Sequence, residues 1–176
     1  METALKVANA YFKLLNSIDW KDDLLLSGLR EGLNKFLSNA FLKINSRHKY
    51  HQADFYSKEA IQKILNDDYI NLVYEHMVPK TKYIQQPCES KARTGELTLD
   101  IVLDLLERYW KIAVVTKDED SKLERSRMPA GWDKTDVRAR YVSAGVLLEE
   151  ASDVALKYEI WGGLTTSRAA AKIIPL

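Results

Sequence analysis

The chain has 176 residues, of which 46% are hydrophobic, and its 26 basic side chains nearly balance its 25 acidic ones. A chain of this size and composition is expected to fold around a hydrophobic core, because disordered chains have few apolar residues and a large uncompensated charge. The near-zero net charge removes the general electrostatic argument for binding nucleic acid or membranes, so any basic contact surface must be local.

The sequence lacks the signals of several functional classes. No apolar run approaches the roughly 18 residues that a bilayer span needs, so no membrane contact is expected. One cysteine, Cys88, excludes an internal disulfide and a cysteine-rich zinc site. The N-terminus does not resemble a secretory signal, and glycine-rich phosphate-binding motifs are absent. We therefore expect a cytoplasmic protein without dinucleotide or P-loop chemistry.

The first third of the chain has the periodicity of α-helices. Apolar residues recur every three or four positions over 3–18 and again over 26–44, which places them on one face of each helix. Gly28 and Gly32 lie inside the second of these segments and indicate either a weak helix or close packing against a neighbour. Ser57 has the features of the N-cap of a further short helix.

The middle of the chain carries mixed signals. Residues 69–74 are rich in aromatic and β-branched side chains, which favours a short strand that leads to Glu75 and His76. Pro79 suits the first position of a helix, and residues 85–95 are predicted to form a loop. Residues 97–110 again have helical periodicity.

The later segments are shorter. Residues 111–115 are apolar and fit either a strand or the end of the preceding helix, because so short a run has no decisive period. Thr116 and Glu119 have the spacing of a capping box, which predicts that a helix begins there. Another short helix is predicted over 137–144.

These segments predict a mainly α protein of the α+β class. We expect a single compact helical domain over 1–150, with about six or seven helices and at most a small two-stranded element. Residues 151–176 lack a stable pattern and are predicted to form a C-terminal tail that docks on the body or lies at an interface.

A short string at the end of the predicted strand suggests chemistry. Glu75-His76-Met77-Val78-Pro79 follows an apolar run, and the stretch of about nine residues resembles the first half of the ββα-metal finger of HNH endonucleases. The resemblance implies that Glu75 binds a divalent ion, Mg²⁺ or Mn²⁺, and that His76 deprotonates the water that attacks a phosphodiester. Without catalysis, His76 is a structural histidine at a strand-to-helix junction and Glu75 caps a helix or pairs with a lysine.

The rest of the HNH pattern departs from the family. No Asn or His follows His76, so the family's downstream Asn and final His have no counterpart in this chain. Asp100 and Asp104 lie one turn apart on one face of a predicted helix. Their carboxylates are the remaining candidates to complete a metal site with Glu75.

Basic residues form two candidate nucleic-acid contacts. Arg47, His48 and His51 are interleaved with aromatic residues. Three interpretations of this stretch are open: contact with phosphates, a transition metal held between the two histidines, or a solvated loop. The predicted loop after Pro79 carries an excess of positive charge. This charge suits contact with a polyanion such as DNA or RNA, and the alternative is an ordinary solvated loop. Its basic residues are Lys80, Lys82, Lys91 and Arg93.

Aromatic residues near the C-terminus are candidate anchors for a protein partner or a second copy of the chain, because aromatic side chains dominate protein interfaces. They are Trp132, Tyr141, Tyr158 and Trp161. Alternatively, Trp132 fills the core beneath its loop, while Arg138 and Arg140 face water.

Two functional hypotheses follow. The first is a metal-dependent nucleic-acid-cleaving or nucleic-acid-associated protein, of the kind found in mobile-element or defence systems. The second is a helical protein-interaction module without catalysis, which acts through its aromatic loop and C-terminal tail.

Overall fold

A computed structural model describes residues 2–44 and 48–158. Helices in these residues are α1 (Glu2–Asn16), α2 (Asp23–Ile44), α3 (Lys58–Leu65), α4 (Gln86–Arg93), α5 (Leu99–Tyr109), α6 (Lys117–Asp120), α7 (Ala139–Ser143) and α8 (Ala151–Tyr158). Lys49–His51 form a 3₁₀ turn, and Thr81–Gln85 form a π-helical turn. Within the described ranges, none of these helices is long and apolar enough to cross a membrane.

The strands are short and form one sheet. They are β1 (Phe55–Ser57), β2 (Leu72–His76), β3 (Ile112–Thr116) and β4 (Leu148–Glu150), in the order β2-β3-β1-β4. The two central strands, β1 and β3, are parallel, and each edge strand is antiparallel to its neighbour.

The mainly α, α+β class is confirmed, but the prediction of at most two strands is wrong. The missed strands, β1 and β4, have only three residues each, which is too short for an alternating pattern of apolar and polar residues. β3 is one of the alternatives left open for residues 111–115. Its two faces are buried in separate apolar clusters, with Val114 in one and Val115 in the other, which explains the unbroken apolar run.

The chain divides into two compact units. The first contains Met1–Ser46 and Val78–Trp110, and the second contains Arg47–Met77 and Lys111–Leu176. The single domain expected over 1–150 stays a prediction.

The first unit is helical. α1 packs against α2, α4 and α5, and it buries Tyr11 and Leu15 completely. Residues 85–95, predicted as a loop, instead form mostly α4. The sequence of α4 is mostly polar and has no clear helical period, because only Cys88, Glu89 and Ala92 of this helix are buried. Glu89 accepts a hydrogen bond from Arg30 at 2.9 Å, which ties α4 to α2.

The second unit contains the sheet and the remaining helices. The Ser57 hydroxyl accepts a hydrogen bond from the Ala60 N–H, and Thr116 with Glu119 makes a complete capping box, so both predicted helix starts are confirmed. α8 follows β4 directly, and its Val154 is buried in the core. Part of the predicted tail therefore belongs to this unit, while residues 159–176 lie outside the described residues.

Candidate functional site

Glu75 and His76 lie where the HNH resemblance predicts them, at the end of a strand. They are the last two residues of β2, where they pair with Ala113 and Ile112 of β3. Both side chains are half-buried. The next residue, Met77, is fully buried, and its N–H donates a hydrogen bond to the Lys111 carbonyl.

The dominant neighbour of this pair is Arg140 on α7. Arg140 is 2% exposed. Its guanidinium donates hydrogen bonds to the Met77 carbonyl at 3.0 Å and to the Glu124 carbonyl at 2.6 Å. It also donates to Glu75 Oε1 at 2.9 Å and to the His76 carbonyl. The interpretation that Arg140 faces water is therefore wrong. Arg140 holds both the carboxylate and the main chain of the predicted catalytic pair.

Glu75 belongs to a mixed charge network. Burial raises the pKa of its carboxyl above the usual value, while the hydrogen bond and the charge of Arg140 oppose that rise. The negative charge of Asp120 adds to the rise in the Glu75 pKa, and Arg125 lowers it. Asp120 itself lies 3.6 Å from the guanidinium of Arg125. The arginine side chains of its own unit thus offset only part of the effect of burial on the Glu75 charge.

The residues predicted to bind a metal do not present a fitting donor set. The Glu75 carboxylate is bound to a buried guanidinium, whose positive charge opposes a divalent cation beside it. Asp100 and Asp104 are exposed on α5 in the other unit, and Asp104 forms an ion pair with Arg108 at 2.5 Å. Across residues 2–44 and 48–158, no group of three or more His, Cys, Asp or Glu side chains is arranged to hold a metal ion.

The histidines of the second candidate stretch lie among tyrosines. The ring of His48 is 4.9 Å from Tyr69, 5.4 Å from Tyr50 and 5.8 Å from His51, measured between centroids. The Tyr50 and Tyr69 rings are stacked at 5.9 Å with an angle of 6° between their planes. We call His48, Tyr50, His51 and Tyr69 the ring cluster.

Hydrogen bonds fix the ring cluster to the sheet. The buried Tyr50 donates its hydroxyl to the Leu72 carbonyl of β2 at 2.7 Å. The Tyr69 hydroxyl lies 3.1 Å from His51 Nε2 and donates to Asp67 at 3.4 Å. His48 is exposed beside these two tyrosines, and its ring is tilted by 50° to that of Tyr69 and by 52° to that of Tyr50. The ammonium group of Lys49 lies 4.6 Å from the Tyr50 ring, so a cation accompanies the rings.

The sequence predicts only some of the residues in the ring cluster. His48 and His51 were predicted, whereas Tyr69 was missed because it is 18 residues from His51 and was assigned to a strand. Arg47 lies outside the described residues.

The other basic candidates lie in the first unit and already have contacts there. Lys80 is half-buried and donates to the Asn34 carbonyl and the Ser38 hydroxyl, and burial lowers its pKa. Lys91 forms an ion pair with Glu96, and Arg93 lies over the Trp20 ring. Lys82 lies 5.6 Å from the Tyr83 ring and is exposed. Of the four, Lys82 has the most freedom to contact a polyanion.

The proposed aromatic anchors differ in exposure. Trp132 is half-buried, and its indole N–H donates to the Asp136 carbonyl at 2.7 Å, which ties its loop together. Tyr141 is fully buried and is therefore closed to a partner. The Tyr158 side chain and Trp161 lie outside the described residues.

No protein-family model matches the chain, and no curated protein or solved structure is similar to it. Of the predicted site residues, the structure brings Glu75 and His76 together around Arg140, and His48 and His51 together in the ring cluster.

Proposed function

We propose that the protein is nucleic-acid-associated and binds single-stranded nucleic acid through the ring cluster. The observation that supports this is the exposed His48 ring, which lies 4.9 Å from Tyr69, next to the stacked pair of Tyr50 and Tyr69. Proteins that bind single strands stack bases on exposed rings and place cations beside them for the phosphates. Lys49 supplies such a cation next to the rings.

A rigid support makes the ring cluster suited to stacking. Tyr50 is buried and its hydroxyl donates to the main chain of β2, so a ring next to His48 is already held in place before a base arrives. The free-energy cost of ordering the protein when a base stacks on His48 is consequently small. Stacking recognises the faces of bases rather than their edges, so the proposed binding is tolerant of sequence.

Fluorescence anisotropy with a labelled single-stranded oligonucleotide tests this proposal. His48→Ala is expected to weaken binding about 5- to 100-fold, because stacking of one base contributes about 1–3 kcal/mol. His48 is exposed, so its removal leaves the core intact. Lys49→Ala should weaken binding and reduce the dependence of the affinity on salt. The matched control is Lys6→Ala at an exposed position of α1, which should leave both the affinity and its salt dependence unchanged. Unchanged affinity in His48→Ala would reject the proposal.

Cleavage is a separate hypothesis. The resemblance to the HNH finger supports metal-dependent cleavage at Glu75 and His76, while the buried Arg140 against Glu75 favours a structural role for the pair. A plasmid-nicking assay with Mg²⁺ or Mn²⁺ decides between them. We expect no metal-dependent nicking by the wild type; nicking that His76→Ala abolishes would establish catalysis instead.

Protein contact is the second candidate function. Val142 is 69% exposed and Leu147 is 85% exposed in the second unit, so both apolar side chains are open to contact with another protein. The half-exposed Trp132 supports the same role. If this candidate is right, the molar mass from light scattering will rise with concentration and Val142→Glu will suppress the rise. A constant monomer mass would reject self-association through this surface.

A further inference from the structure

A groove of about 770 Å³ opens at one end of the sheet in the second unit. The parallel strands β1 and β3 both end at this groove, since α3 and α6 follow them directly and line it. In sheets that contain parallel strands, ligands commonly bind beyond the carboxyl ends of those strands. The volume lies within the range of small-molecule sites.

Lysines line this groove from two segments of the chain. Lys58 begins α3, Lys117 begins α6, and Lys122 follows α6. All three are exposed, and none of them forms an ion pair with another part of the described chain. A fourth lysine, Lys63, is already paired with Asp68. Positive charges that line a concave surface strengthen its attraction for an anion.

The groove also has carboxylates, and they divide into two kinds. Glu119 is buried and accepts hydrogen bonds from the Ser57 hydroxyl at 2.6 Å and the Thr116 N–H at 2.8 Å, so it serves the capping of the two helices. Glu59 and Asp118 are exposed on the wall. Exposed carboxylates beside lysines suit a ligand that carries hydroxyl groups as well as an anion, because hydroxyls donate to carboxylates.

One wall of the groove is apolar. Val146 and Leu147 line it, and the Leu147 side chain is 85% exposed. Leu147 therefore offers apolar surface close to the charged groups. A purely ionic ligand, such as inorganic phosphate, would leave this wall unused.

We propose that the groove binds a phosphate monoester with a hydroxylated, partly apolar body, as in a mononucleotide. Lys58, Lys117 and Lys122 hold the phosphate, Glu59 and Asp118 accept hydrogen bonds from the hydroxyls, and the body lies against Leu147. The groove shares no residue with the ring cluster. The inference thus goes beyond the proposed contact with single strands.

Titration of the ¹⁵N-labelled full chain, followed by heteronuclear NMR, tests the inference with adenosine monophosphate, ribose 5-phosphate, inorganic phosphate and adenosine. Adenosine monophosphate should shift the amide signals of the groove saturably and bind more tightly than inorganic phosphate. Lys117→Ala/Lys122→Ala should weaken that binding by at least about tenfold, because two charged contacts are lost. Lys6→Ala/Lys13→Ala, a matched pair on exposed positions of α1, should bind like the wild type.

Three results would overturn the inference: no saturable shift with adenosine monophosphate, affinity no tighter than that of inorganic phosphate, or equal binding by the groove variant. His48→Ala separates this site from the proposed function. It should retain the binding of adenosine monophosphate, while Lys117→Ala/Lys122→Ala should retain the binding of the single-stranded oligonucleotide. Failure of one proposal is thereby distinguished from failure of the other.

Discussion

Arg140 donates hydrogen bonds to three carbonyl oxygens and to the Glu75 carboxylate, and its side chain is closed to solvent. Glu75 is 65 residues away along the chain. Nothing in the sequence around Arg140 distinguishes it from the exposed Arg138, because burial of an arginine depends on acceptors that distant segments provide. The sequence therefore predicted the position of Glu75 and His76 but not the group that surrounds them.

Removal of Arg140 should destabilise the protein strongly. Arg140→Ala leaves the half-buried Glu75 charge and three carbonyls without their donor, and loss of one partner of a buried ion pair lowers the free energy of unfolding by about 3–5 kcal/mol. Urea denaturation followed by circular dichroism measures the change. Arg138→Ala is the control, since its ion pair with Asp136 is exposed and should contribute less than about 1 kcal/mol. Equal stability of the two variants would contradict a structural role for Arg140.

Cys88 predicts how stability depends on pH. Burial raises the pKa of its thiol to about 12 from the usual 9.0. The unfolded chain therefore loses this proton near pH 9 while the folded chain keeps it, so the stability that Cys88 contributes is present below pH 9 and is lost as the pH rises toward 12.

The variant Cys88→Ser isolates this effect, because a serine hydroxyl does not titrate in this range. Relative to Cys88→Ser, the wild type should lose about 2 kcal/mol of unfolding free energy between pH 8.5 and 10.5. Denaturant titrations of both proteins at several pH values provide the comparison. Parallel pH profiles would show that the thiol is not held protonated by burial.

At the scale of the elements, local signals identified helices better than strands. The caps at Ser57, Thr98 and Thr116 depend on residues within three positions of each other, so the sequence alone shows them. β1 pairs with β3 across more than fifty residues, and α4 is helical despite a polar sequence. These elements are stabilised by contacts with distant segments, which no local window contains.

The two glycines of α2 provide a test at this scale. A Cβ added at Gly28 or Gly32 would meet no atom within 4 Å apart from its chain neighbours and the adjacent backbone of α2. Close packing, one of the two interpretations of these glycines, is therefore not their reason. Gly28→Ala and Gly32→Ala should each raise the unfolding free energy by about 0.5–1 kcal/mol, because alanine restricts the unfolded chain and favours the helix.

Thermal unfolding of the two single glycine variants measures the gain, which each substitution should show independently of the other. Gly145→Ala is the opposite control. Gly145 has a φ of +69°, where a Cβ is strained, so this substitution should lower stability. A loss of stability at Gly28 or Gly32 would contradict the description of α2.

At the scale of the molecule, some features follow from composition and periodicity, whereas others arise only when the fold brings distant segments together. Composition and periodicity predicted the mainly α class but at most two of the four strands. The histidines of the ring cluster were found because aromatic and basic residues alternate within a few positions. The groove had no sequence signal. Its lysines come from segments that the ends of β1 and β3 bring to the same edge of the sheet.

The central claim is that single-stranded nucleic acid contacts the ring cluster. The most direct measurement is an NMR titration of the ¹⁵N-labelled protein with a short unlabelled oligonucleotide. We predict that the largest shifts occur at His48, Lys49, His51 and Tyr69, and that His48→Ala needs about 5- to 100-fold more oligonucleotide to reach the same shifts at the other three. Shifts confined to Lys80, Lys82, Lys91 and Arg93, or no shifts at all, would contradict the account.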